Sequence, residues 1–142
     1  MKMFSLKLSV VFILSILLAG CASSKQQLLA ASKSQVQLRS IQSRAFDATD
    51  QQKMMRVIIS TLQDLDFVID RADLDLGSIT GSKFMNNNLL KMTVMVKPRG
   101  ETQLLVRANA QYGLEAIEDA EPYQDFFTAL EKALFLTAHQ VE

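Results

Sequence analysis

The strongest constraint on the fold lies between residues 90 and 112. Leu90, Met92, Val94 and Val96 alternate with Lys91, Thr93, Met95 and Lys97. After Pro98-Arg99-Gly100, Leu104, Val106, Ala108, Ala110 and Tyr112 alternate with Gln103, Leu105, Arg107, Asn109 and Gln111. Successive strand side chains point to opposite faces, so the pattern predicts an antiparallel hairpin with one apolar face and one wet face. The apolar face must be covered, and two stretches have the helical periodicity to cover it. Met54, Ile58, Thr61, Leu62 and Leu65 form one stripe, on a helix predicted from about Asp50 to Leu65 with Thr49 as N-cap and Gln52 at capping-box spacing. Tyr123, Phe126, Phe127, Leu130, Leu134 and Thr137 form the other, opened by Pro122, whose fixed φ suits a first helical turn.

The shorter segments fill in the order. Asp66 stands where a helix often ends in a left-handed residue, and Phe67-Val68-Ile69 opens a strand. Asp73 to Gly77 reads as a turn, Ser78 to Phe84 as a return strand, and Asn86-Asn87-Asn88 as a loop. Within Val36 to Phe46 a partial alternation predicts a first strand. The expected fold is α+β with two layers: an antiparallel sheet of four to five strands with two helices packed on one face. A core of that size needs no disulfide staples.

The chain opens differently. Lys2 and Lys7 make a positive segment, and Leu8 to Leu18 is apolar apart from small serines. Those roughly 11 residues reach about 16 Å as a helix, too short for an ordinary membrane span. Leu18-Ala19-Gly20-Cys21 closes the run, so the pattern is that of a signal peptide. The LAGC ending resembles the lipobox of bacterial lipoproteins. That resemblance implies cleavage between Gly20 and Cys21, and acyl chains on the Cys21 thiol and amine. Cys21 is the sole cysteine, so no internal disulfide can form, and an unmodified thiol would be a liability in an oxidising periplasm. Two or three acyl chains suffice for durable anchoring. No Asp follows the cysteine, and family analogy then places the protein on the periplasmic face of the outer membrane.

The expected organisation is a signal peptide over residues 1–20, a lipidated cysteine and flexible tether over 21–35, and one periplasmic α+β domain over 36–142. The tether is small and polar, suited to holding the domain clear of the headgroups. Removing Lys2 and Lys7 leaves thirteen basic against fifteen acidic side chains, a formal charge near −2. That balance argues against nucleic acid and against an electrostatically driven membrane-surface partner.

Catalysis and metal binding find little support. His139 is the single histidine, near the C-terminus and on the predicted outer side of the last helix. With Cys21 acylated, no Cys–His pair and no zinc set can be assembled, and Ser or Thr nucleophiles lack a base. Asp70, Asp73 and Asp75 with Gly77 faintly resemble the start of a calcium loop, but the twelfth position counted from Asp73 is Phe84. Solvation of a turn is the plainer account of these aspartates. Gly77, Gly81 and the Ser-Lys pair lack the spacing of a phosphate loop. No enzyme activity, metal or cofactor is expected.

Three apolar residues stand outside the helical stripes: Phe135 and Leu136 on the second helix and Ile59 on the first. They are candidate partner contacts or the wall of a ligand cleft, unless loops or the tether cover them. The first strand, if it lies at a sheet edge, is either a docking edge or a solvated one. The segment from Gln42 to Lys83 resembles a group of small proteobacterial lipoproteins of unassigned role, which pair an R-x-F-D-T-like strand end with a helix, L-G-F-x-I and G-x-I-x-x-S-K. This chain has Asp66 where glycine is expected and Ala48 displacing the threonine by one. The order helix, aromatic-led strand, Asp-rich turn, Gly, strand is also similar to the helix-grip domains of BamC, a lipoprotein of the outer-membrane β-barrel assembly machinery. The expected function is a non-catalytic accessory or adaptor in an envelope assembly or transport complex, with an envelope protein as partner. The alternative is a carrier or sensor for an apolar ligand between second helix and sheet, where Met92, Met95, Phe126 and Phe127 suit an adaptable pocket.

Overall fold

The computed structural model describes residues 34–139. The chain divides into two compact units, one ending at Gln37 and one beginning at Leu38. The fold below is that of the second. Residues 34–42 are helical. The elements that follow are β1 (Ser43–Phe46), α1 (Gln51–Asp64), β2 (Val68–Asp73), β3 (Ser78–Met85), β4 (Asn88–Arg99), β5 (Gln103–Tyr112), β6 (Glu115–Ala116) and α2 (Glu121–His139). They make an α+β fold around one open antiparallel sheet, in the order β1-β5-β4-β3-β2 with β6 also on β5.

The central hairpin forms as the alternation requires. Its register pairs Met92 with Ala110, Val94 with Ala108 and Val96 with Val106 on the face that carries the core. Leu90, Met92, Val94, Val96, Leu104, Val106 and Ala108 are all at most 3 % exposed. Ile79 extends this face onto β3, and α1 and α2 cover it with Met54, Met55, Ile58, Leu62, Tyr123, Phe126, Phe127 and Leu130. Both helices therefore lie against one side of the sheet.

Three local expectations are corrected. The expected first strand is helical over 36–42, and only Ser43–Phe46 is extended. Leu38 and Ile41 stand three apart, which puts them on one side of a helical turn, and Ile41 packs against the core. The N-cap of α1 is Asp50, not Thr49: its carboxylate accepts from the Lys53 backbone N–H at 2.8 Å. Such a cap contributes about 1 kcal/mol. The asparagine loop is shorter than expected. Asn86 and Asn87 both have positive φ, the arrangement that suits a two-residue hairpin turn, while Asn88 already belongs to β4.

Other turns match their residues. Asp66 is left-handed at φ 65°, as predicted for the end of α1. Gly77 is left-handed too, and its carbonyl accepts from the Val96 N–H at 2.8 Å. A Cβ there would collide with the Val96 carbonyl and the Gln51 side chain, so glycine is required by space as well as by conformation.

Tyr123 ties the far end of the core together. Its hydroxyl donates to the Ile117 carbonyl at 2.6 Å and accepts from the Ala110 N–H at 3.2 Å and the Gln42 amide at 3.1 Å. A buried phenol is satisfied, and the last turn of β5 keeps its backbone paired.

Candidate interaction surface

Gly20 and Cys21, the cleavage and acylation positions, lie outside the described residues, as does the tether up to residue 33. Phe135 and Leu136 do lie on the outside of α2, 61 % and 53 % exposed. Helix geometry explains this: the stripe that seats Phe126, Phe127 and Leu130 against the sheet turns these two positions away. The Phe135 ring stacks on His139 at 4.1 Å between centroids, and the His139 Nδ1 sits 2.8 Å from the Phe135 carbonyl oxygen. Ile59 does not join them. It is half-buried and packed against the core, so the three residues do not form a single exposed patch.

The side chains expected to line a pocket under α2 are divided between two environments. Met92, Phe126 and Phe127 are at most 1 % exposed and fill the core, whereas Met95 points to the opposite face of the sheet. A cleft lies elsewhere, between the start of α1 and the end of α2. It has a volume of about 390 Å³, with Phe46, Met54 and Leu134 as apolar walls and Asp50, Lys53 and Thr137 as polar ones.

The turn aspartates are occupied by local contacts. Asp73 Oδ1 accepts from the Leu76 N–H at 3.0 Å, and its other oxygen lies 3.5 Å from Arg71. Asp70 accepts from the Ser82 hydroxyl at 2.9 Å. Among the described residues no three His, Cys, Asp or Glu side chains are grouped to hold a metal ion. Every buried side-chain nitrogen or oxygen there has a hydrogen-bond partner.

β1 does lie at a sheet edge, but it is short and fastened. Arg44 pairs with Glu131 at 2.7 Å and sits over the Phe127 ring at 4.9 Å. Arg107 Nε donates to Ser43 Oγ at 3.1 Å, and the Gln103 amide donates to Asp47 at 2.7 Å. β6 continues along the same side of β5, pairing with Gln111 and Tyr112.

Among the described residues no helix covers the sheet face away from α1 and α2. Its register sets Ser78, Met95 and Arg107 in one row and Lys97 with Leu105 in the next. Lys97 and Arg107 thus take one diagonal of a four-residue square, and Met95 and Leu105 take the other. They surround a hollow of about 250 Å³. Lys91 and Arg99 lie along β4 on the same face. At one corner Phe84 pairs across from Leu89 and is 84 % exposed. The signal was present in the sequence: Phe84 follows Thr80 and Ser82 at period two, which assigns it to the wet face.

No known protein family and no curated protein matches the chain. Among solved structures it is similar to the adenylate sensor from AMP-activated protein kinase, crystallised in complex with 5-aminoimidazole-4-carboxamide 1-beta-D-ribofuranotide. The likeness has 12 % identity and a TM-score of 0.49, and covers 65 % of this chain and 94 % of that one. At that level it carries no argument about this chain.

Proposed function

We propose that the protein is a lipoprotein, anchored through acyl chains on Cys21 to the periplasmic face of the outer membrane. Its folded domain serves as a non-catalytic adaptor in an envelope assembly or transport complex. The observation that carries the adaptor reading is the pair Phe135 and Leu136, large apolar side chains held in solvent on a well-packed helix. Two helices laid on one face of an antiparallel sheet also support the likeness to helix-grip domains. The test is crosslinking of the native protein in intact cells, with mass spectrometry of the captured species. The adaptor reading expects one envelope complex to be captured reproducibly, and capture to be lost when Phe135→Ser and Leu136→Ser are combined. Capture of abundant bystanders alone would remove it.

The carrier reading has one specific observation in its favour, the cleft between the start of α1 and the end of α2. Its volume falls within the range of small-ligand sites, roughly 300–1,000 Å³. Co-purification of an extractable apolar molecule, lost in Thr137→Arg, supports that reading, and a clean apo protein argues against it.

A further inference from the structure

The open sheet face combines features that point to one kind of partner. Lys91, Lys97, Arg99 and Arg107 lie on it, and among the described residues none of them takes part in an ion pair. β3, β4 and β5 contain no Asp or Glu. Leu89, Met95 and Leu105 are interleaved with these cations, and Phe84 is at the corner. Two carboxylates share the face at its β2 edge, Asp73 across from Ser78 and beside Arg71, and Asp70 bonded to Ser82, while Glu115, Glu118, Asp119, Glu121, Asp125 and Glu131 lie in β6, α2 and their junction. A net charge near zero therefore conceals a molecule with a basic face, and the argument from overall balance does not reach it.

We infer that this face docks on an anionic phospholipid bilayer. Lysine and arginine heads meet headgroup phosphates while their stems and the adjacent apolar side chains rest on the acyl boundary. The cations and apolar side chains spread across β3, β4 and β5, from Phe84 and Leu89 to Arg99 and Leu105, so the surface suits a broad charged plane better than a small enclosed ligand. Recognition of single-stranded nucleic acid relies on rings spread along the face, and among the described residues Phe84 is the one ring there, at a corner. The inference rests on the membrane-anchored reading, because the acyl chains hold the face at high local concentration over the bilayer.

The test uses the chain from Ala22 onward, which lacks Cys21 and retains every core residue, since these fall between Ile41 and Leu134. It is sedimented with vesicles of phosphatidylcholine alone, or of phosphatidylcholine mixed with phosphatidylglycerol. Binding is expected to the anionic vesicles only, and should weaken as salt is raised. Each cation near such a surface contributes about fivefold, so Lys91→Gln with Lys97→Gln should lower partitioning about 25-fold. Arg107 is left in place because it also ties β1 through Ser43. Arg56→Gln with Lys132→Gln, on the helices, should change partitioning less than about twofold. Unfolding midpoints establish that both double variants are folded.

Equal binding to neutral vesicles, full binding by the Lys91/Lys97 variant, or an equal loss in the Arg56/Lys132 variant overturns the inference. So does binding to polyglutamate or polyuridylate without binding to vesicles. Palmitate labelling of Cys21 in cells separates the two readings. Label without vesicle binding removes the docking face and leaves the anchor standing. Vesicle binding without label removes the anchor and leaves the face.

Discussion

The two faces of the β4–β5 hairpin share a backbone and a register, yet they differ in every other respect. On one face Met92, Val94 and Val106 are at most 1 % exposed beneath two helices. On the other, Met95 and Leu105 are half-exposed among lysine and arginine. The first face is held by packing and tolerates little change in volume. The second is held by backbone pairing and a few polar ties, Thr93 to Thr80, Gln103 to Asp47 and Arg107 to Ser43. The core and the inferred bilayer contact are thus written on alternate residues of the same strands.

Substitution can break that division, beginning with the core. Phe126→Ala, under α2, should cost about 4 kcal/mol in denaturant unfolding, from lost burial plus a cavity. A cost under about 1 kcal/mol would mean that the helix layer is loosely seated. The two methionines give the sharpest contrast, because the residue type and the strand are the same. Met92→Ala should destabilise by about 3 kcal/mol and Met95→Ala by less than about 1, measured under identical conditions. Equal effects would erase the distinction between the faces.

Tyr123→Phe probes the polar corner of the buried side. It leaves the Ala110 N–H without the hydroxyl and removes the donor to Ile117, and should cost about 2 kcal/mol. The smallest effect belongs to the open face. Lys91→Gln with Lys97→Gln should leave stability within about 0.5 kcal/mol while changing surface charge. A larger loss would show that these lysines serve the fold.

Much of the architecture was legible because burial imposes a period. The alternation from Leu90 to Tyr112 and the stripe from Tyr123 to Leu130 each reflect one face turned inward. Segments with weaker periods were harder. Val36, Leu38 and Gln42 fit an extended reading, whereas Leu38 and Ile41 fit a helix, and the latter spacing prevailed. Thr49 and Asp50 are both competent caps, and only the geometry of the chain entering α1 chooses between them. β6 has two residues and exists through its pairing with Gln111 and Tyr112, a tertiary fact with no local signature.

The candidate surfaces divide along the same line. Phe135 and Leu136 were legible because helical angle alone carries them away from the core. Ile59 was misplaced because its cover comes from other elements, about which its own helix says nothing. The diagonal of Lys97 and Arg107 with Met95 and Leu105 depends on the register between β4 and β5, and alternation within a strand does not fix register across strands.

The fastening of β1 has a mechanical consequence. A chain held by its N-terminal side delivers tension to this four-residue strand before any other part of the sheet. Backbone pairing of that length resists poorly, but the load is shared by successive side-chain ties: Gln42 to Tyr123, Ser43 to Arg107, Arg44 to Glu131 and Asp47 to Gln103. These reach α2 and β5, so a pull spreads into both layers instead of peeling the edge. The strand acts as a strain relief, like the clamp where a cable enters its housing.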